Sequence, residues 1–594
     1  MPSRTVQFFL SLLVVTSLFV LLTSFQVGYF FEDGVYGKFT LSALLDGDFN
    51  ILNQEPQVGD HSPRMVTKTG YSTSFEFPAV SSYLAPFYLY QLGVDTIRKE
   101  QSPVFTNRFF PAHILSTIFY TLAGTMVLLQ LLSEFGFKST MKPVIIFFFS
   151  TPFFYYFTFC STTVDMFANS YSIFALTIFW LYRDKSVNSW LILAMGVISG
   201  FGIAIRIHLL WIFFLYSYFI FFREKKLKNL MFMAAGVIFP LSLMQFNNYM
   251  ILQKFMLPLQ VYVEGYSPID FVTKTSGYYL FGPNGQMLVS PIYFAVIAGF
   301  ILILRPRPGI KWIVWSMVVP GAILFFRALS CWVVADEFVG RLQLDYFFVD
   351  VILLAALLDW LGSQAYVKRM VIYSYLFACM LWHILVTICF YHVDATHFWT
   401  WPNEFEYTFS KINDSISYLR YWFSIKPVMT SLRLLPIYFP LITLISFLLF
   451  KLQSWTLRQM VRSLFLFFGL GVLIFTYFTV SNVLRGPSNV SQLRAQNYYY
   501  GKMVVNEQHA LFYDDYEEEI KKSSYWYLLN NDCDTVHQLQ NINSQFLKKV
   551  NEAIGSKTKE FQDQILNNPF PPSSSDNPEF LKIFKTEVMK TCQF

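Results

Sequence analysis

Two pairs of acids stand near the start of the chain, in FEDGVYGKFTLSALLDGDFNILNQ: Glu32 with Asp33, and Asp46 with Asp48. A carboxylate beside a hydroxyl takes its proton as the oxygen attacks, and this is the chemistry the first pair offers. The second pair, Asp46-Gly47-Asp48, has the shape of an Asp-x-Asp motif, whose oxygens hold a divalent ion against a nucleotide diphosphate. Arg206, His208 and Arg341 are cations at the edges of apolar runs, placed to stabilise a phosphate that gains charge as it leaves. Asp165 stands in a similar place, between two apolar runs in FCSTTVDMFANS.

The elements that must position these groups follow from composition. A chain of 594 residues that is 54% apolar and 14% charged, with 67 Phe and 36 Tyr, carries more apolar surface than soluble domains can hide. Its mean hydropathy is +0.42. Lipid is therefore its solvent, and the expected fold is an all-α polytopic membrane protein. Apolar runs long enough to cross a bilayer give roughly thirteen transmembrane helices. They fall near residues 6–29, 109–132, 143–160, 164–182, 190–205, 207–222, 230–249, 288–304, 312–328, 346–361, 370–391, 433–450 and 463–481. The first has Arg4 before it and no small-residue cleavage site after it, so it reads as a retained anchor. The runs 190–205 and 207–222 are short helices around an Arg206–His208 corner.

Basic residues cluster in the short turns: Lys138 and Lys142; Arg183 and Lys185; Arg223, Lys225, Lys226 and Lys228; Arg305, Arg307 and Lys311; Lys368 and Arg369; Lys451, Arg458 and Arg462. All fall on one side if Arg4 is cytoplasmic, which places the N-terminus inside and, with an odd number of spans, the C-terminus outside. The net charge of +6 thus belongs to the cytoplasmic turns and does not point to nucleic acid. The long segments are all outer: 30–108, 250–287, 329–345, 392–432 and the tail. Residues 1–481 form the membrane domain, and 482–594 a small α-rich outer domain that holds Cys533 and Cys592.

Outer loop 1, residues 30–108, is acidic where the cytoplasmic turns are basic. Val35 to Leu45 has apolar residues spaced for one helical face, and Gly47 suits the position just past a helix end. The expectation is an amphipathic helix lying at the membrane interface, with a second at Phe77 to Leu92. On this reading Asp46 and Asp48 are a helix stop, because nucleotide sugars are cytoplasmic and the motif is outside. Asp165 reads as a solvated turn or a helix N-cap, and Glu76, His61 and Lys68 as solvated loop residues.

The order of four short motifs resembles the bacterial members of the C-class glycosyltransferases (GT-C), the dolichyl-phosphate-mannose mannosyltransferase-like membrane proteins. They are EDGVY with LSALLDGDFNILN; GYSTSFEFPAVSSYLAPFYL; PLSLMQFNNYMI with GYYLFGPNGQMLVSPIYFAVIAG; and CWVVADEFVGRLQLDYFF, together covering about residues 1–360. Two features depart from the pattern: Asp165 stands where such proteins often carry a His, and Phe77 replaces a Gly. The resemblance implies a GT-C-like fold and an inverting-type transfer of a sugar from a polyprenyl-phosphate donor to an envelope glycan, lipid or protein acceptor on the outer face of a bacterial inner membrane. It implies Asp33 as the base, with Glu32 the second candidate. Arg206, Arg341 and His208 would hold the donor phosphate, and Asp165 and Tyr36 would serve the acceptor. No cofactor or metal is called for. The competing expectation is a non-catalytic polytopic protein, either a lipid or solute transporter or an envelope assembly scaffold.

The topology has a direct test. Alkaline phosphatase, which is active only outside the cytoplasm, is expected to be active when joined after Ser102 and inactive when joined after Lys138 or Lys185. Equal activity at all three junctions would overturn the N-inside arrangement.

Overall fold

A computed structural model describes residues 3–25, 33–51, 65–66, 72–73, 78–98, 110–158, 163–183, 185, 187–220, 227–252, 286–303, 346–396, 425–485 and 541. The described chain is helical apart from a two-residue antiparallel ladder, Met65–Val66 with Ser72–Thr73. In chain order the helices are α1 (Arg4–Phe25), α2 (Asp33–Leu45), α3 (Ser81–Arg98), α4 (Phe110–Glu134), α5 (Met141–Phe149), α6 (Pro152–Thr158), α7 (Thr163–Tyr182) and α8 (Ser189–Ile205). They continue as α9 (Leu210–Phe219), α10 (Leu227–Leu252), α11 (Gln286–Val289), α12 (Ile292–Ile303), α13 (Phe347–Gly362), α14 (Tyr366–Thr396), α15 (Ile425–Ser454) and α16 (Leu457–Arg485). Single 3-10 turns, Pro78–Val80 and Ile207–Leu209, precede α3 and α9.

Seven of the described helices are long and apolar enough to cross a bilayer, within α1, α4, α7, α10, α14, α15 and α16. The protein is thus an integral, multi-pass membrane protein, but the expected thirteen full spans are not what the described residues contain. Ser189–Ile205, Leu210–Phe219 and Ile292–Ile303 are apolar but short. The expected span 143–160 is two helices, because Pro152 cannot continue the hydrogen-bond ladder from Phe149. The expected span 312–328 and, apart from residues 482–485 and 541, the tail domain, with Cys533 and Cys592, lie outside the described residues.

The described basic turns mark one end of the bundle. Gln130 Nε2 donates to Trp455 O at 3.1 Å, the Lys138 amide to Asp359 Oδ1 at 3.0 Å, and Lys142 Nζ sits 5.9 Å from the Tyr373 ring. Arg183 lies 3.3 Å from the Trp180 ring, so a cation at this end is carried on the aromatic body of its own helix.

Helices α8 and α10 pack over much of their length. Gly196 and Gly200 on α8 meet Gly236 and its neighbours on α10 so closely that a Cβ on any of the three would run into the opposite backbone. Between membrane helices there is no hydrophobic drive, so small residues that let backbones approach supply the attraction.

The first loop departs most from expectation. Tyr36 to Ala43 of α2 are all buried, so over these two turns α2 is enclosed by protein on every side and does not lie along the interface with one face in lipid. Its polar residues are absorbed internally, as when Thr40 Oγ1 donates to Tyr36 O at 2.6 Å. The second expected interfacial helix, α3, also enters the bundle. Its Tyr83 ring packs 4.9 Å from Phe467 and 4.4 Å from Phe167, and fills the space beside Gly471, the middle residue of α16. Tyr120 OH donates to Tyr83 O at 2.5 Å. Non-helical backbone at this depth is tolerated only when protein covers it, and Pro78–Val80 is fully covered.

Loop 1 is then tied to the last helix. Gly47 takes φ +70°, the left-handed turn that ends α2, with the Asp46 and Gly47 amides both donating to Ser42 O at 2.8 and 2.9 Å. Ser481 Oγ donates to Gly47 O at 2.8 Å, and the Phe49 amide to Asn482 Oδ1 at 3.3 Å. Asn482 in turn donates to Asn247 Oδ1 at 3.1 Å, and Asn247 to Thr479 Oγ1 at 2.8 Å, both asparagines being fully buried.

Replacing Gly236 by Val is expected to destabilise the protein by about 1–3 kcal/mol through overpacking of α8 on α10. Gly469→Ala, which meets no neighbour, is expected to be neutral or slightly stabilising. Unfolding in detergent micelles distinguishes them, and equal effects would show that the close approach does not matter.

Candidate functional site

Two of the charges singled out by the sequence, Asp165 and Arg206, come together at the end opposite the described basic turns. Asp165 lies in the first turn of α7 and is fully buried. Arg206 immediately follows α8, where its extended backbone turns the chain into Ile207–Leu209 and α9. Its guanidinium forms an ion pair with the Asp165 carboxylate, leaving the arginine side chain 13% exposed. Asp165 is therefore neither a solvated turn nor an N-cap, because taking a lone carboxylate into the bundle would be prohibitive and Arg206 is what permits it. The short corner expected around Arg206 and His208 is present, with α8 and α9 on either side.

The surroundings hold the pair in place. One turn beyond Asp165, Asn169 Oδ1 accepts from the Phe348 amide at 3.3 Å, which fixes the start of α13 against α7. Trp211 of α9 packs 5.7 Å from the Phe348 ring. Below, Tyr171 OH donates to Ile198 O at 2.5 Å and joins α7 to α8. The covered turn Pro78–Val80 touches both α8 and α2. The helix that Asp33 begins and the helix that Arg206 ends thus share a neighbour.

Asp33 is the first residue of α2, as expected of a residue that begins a helix. Glu32 and Arg341 lie outside the described residues, as do the side chains of Asp33 and His208. Tyr36 is a buried ring whose carbonyl lies 3.5 Å from Ser81 Oγ, so it belongs to the contact between α2 and α3. Asp46 and Asp48 are the helix stop that the sequence suggests. Ser42 Oγ lies 2.8 Å from both Asp48 Oδ1 and Asn50 O, and the Asn50 amide donates to Asp48 Oδ1 at 3.1 Å. Among the described residues, no three His, Cys, Asp or Glu side chains come together to hold a metal ion.

Several buried ionisable residues escaped the sequence reading, among them Lys38 and His113. Lys38 is fully buried on α2, and His113, at the start of α4, is fully buried with its Nδ1 3.4 Å from Tyr88 OH. A lysine in an otherwise apolar and hydroxyl-bearing helix, KFTLSALL, was the available sign for the first. Nothing in the sequence distinguishes His113 from a histidine at a span end.

The guanidinium presents its N–H donors as a planar fork, and the Asp165 carboxylate fixes the orientation of that fork. No family model, curated protein or solved structure matches the chain. The fold and site define a polytopic α-helical membrane protein with a buried ion pair at the end opposite its basic turns.

Arg206→Ala leaves a buried carboxylate without its cation and is expected to cost about 3–5 kcal/mol. Adding Asp165→Asn should recover most of that loss. Denaturation of the single and double variants in detergent checks this, and no recovery in the double variant would show that the two residues act separately.

Proposed function

We propose that the protein is a GT-C-like glycosyltransferase that moves a sugar from a polyprenyl-phosphate donor to an envelope acceptor at the outer face of the membrane. The observation that carries the reading is the Asp165–Arg206 pair, a fixed cation at the end of the bundle away from the basic turns, beside the element that also touches α2. If the basic turns are cytoplasmic, this end is the outer one.

In the proposed reaction the donor lies with its lipid tail along the apolar helices and its phosphate toward Arg206. The acceptor oxygen attacks the anomeric carbon while the bond from that carbon to the phosphate oxygen breaks. The phosphate leaves with the electron pair, and the acceptor proton passes to the carboxylate of Asp33 or, as the second candidate, Glu32. Asp165 acts through Arg206 by aiming it, and the developing phosphate charge is met by a cation that needs no reorganisation. Arg341 and His208 remain proposed partners for the same phosphate, and Tyr36 for shaping the acceptor side. The acceptor is an envelope glycan, lipid or protein; no resident metal or cofactor is invoked.

One observation favours the second reading, a transporter. Helices interrupted within the bundle, as at Ser150–Thr151 and Ser290–Pro291, recur in proteins that carry solutes across membranes.

Asp33→Asn is expected to abolish sugar transfer while leaving the amount of inserted protein unchanged. Mass spectrometry of envelope glycans from cells carrying the wild-type or variant protein provides the measurement. An unchanged glycan profile that nevertheless disappears when the whole protein is removed would exclude Asp33 as the base.

A further inference from the structure

Two helices are interrupted at one place in the bundle. α5 stops at Phe149 and α6 starts at Pro152; α11 stops at Val289 and α12 starts after Ser290–Pro291. His383, fully buried near the middle of α14, meets both interruptions. Its Nδ1 lies 3.0 Å from Val289 O and 3.2 Å from Ser290 Oγ, and the backbone of Thr151 also faces the ring. A carbonyl oxygen only accepts, so Nδ1 carries the proton. The ring therefore cannot take a proton from Ser290 through that nitrogen, and the pair is not an activated nucleophile. Tyr375, two turns before His383 on α14, donates from its hydroxyl to Pro291 O at 2.6 Å and holds the second interruption in place.

Two further hydroxyls belong to this place. Ser150 precedes Thr151, and Thr387 follows His383 by one turn, on the same face of α14. Both residues are fully buried, and neither Ser150 Oγ nor Thr387 Oγ1 has a hydrogen-bond partner within the protein. Hydroxyls in an apolar interior are costly without partners, and the site offers no protein group to both. The group that suits them must be small, uncharged and able both to donate and to accept.

We propose that the meeting point of the two helix interruptions is a water-binding site inside the membrane domain, with water bridging Ser150 Oγ and Thr387 Oγ1 beside His383. A buried water makes two to four hydrogen bonds, and two hydroxyls, each able to donate and to accept, supply the first two of them. The site is independent of the sugar-transfer reading, since it uses none of the residues assigned to it.

The test uses the full-length chain in detergent micelles. Thr387→Val keeps the side-chain shape and Ser150→Ala removes one oxygen. With shared water, each variant lowers the melting temperature, and the double variant loses less than the sum of the two. If the site is dry, removing an unsatisfied hydroxyl leaves the melting temperature unchanged or raises it, and the proposal fails. X-ray-generated hydroxyl radicals provide a measurement on the wild-type protein that needs no variant. Oxidation of His383 despite its burial supports bound water, and its complete protection overturns the proposal.

Discussion

Gly471 has no side chain, and Tyr83 occupies the space that one would take. Much of the architecture at the end away from the basic turns depends on this contact, because it lets a loop segment pass between helices to the middle of α16. Once Tyr83 is seated, its carbonyl accepts from Tyr120 and its ring meets Phe167 and Phe201, so α3 is gripped by α4, α7, α8 and α16 together. The turn before α3 is then carried beneath cover, where its backbone is shielded from lipid. A larger residue at 471 would push Tyr83 out and with it the platform on which α2 rests.

Electrostatics and packing reinforce each other around Asp165. The carboxylate is buried because α7 begins inside the bundle, and α8 ends where its following residue can reach that carboxylate. The glycine contacts between α8 and α10 fix the axis of α8 and so the position of Arg206. A small change in the tilt of α8 would separate the charges, and the cost of a buried ion without its partner makes such a change unfavourable. Backbone contacts remote from the ion pair therefore contribute to its geometry.

The sequence made the beginnings and ends of elements legible more readily than their surroundings. Asp33 and Gly47 bracket α2 as their chemistry suggests, and the Arg206 corner lies where two short apolar runs meet. The apolar spacing of Val35 to Leu45 showed one face suited to burial, but not that Lys38, Thr40 and Ser42 on the other side would also be enclosed. Internal hydrogen bonds such as that from Thr40 to Tyr36 remove the polarity that an interfacial reading relies on. Averaged hydropathy likewise ran across Ser150–Thr151–Pro152, where proline divides one apolar run into two helices. Asp165 and Arg206 were each visible as ionisable residues near span ends. Their pairing was not, because it depends on which helices become neighbours across 41 positions of sequence.

The bond from the Phe49 amide to Asn482 spans 433 positions, and so gives the protein a definite order of assembly. At about 5–20 residues per second, roughly 20–90 s separate the synthesis of the two partners. Throughout that interval the end of α2 has no α16 to hold it. A chain truncated before α16 would never close this junction. α16 thus acts as a latch that closes over the end of α2 only once most of the membrane domain has been made.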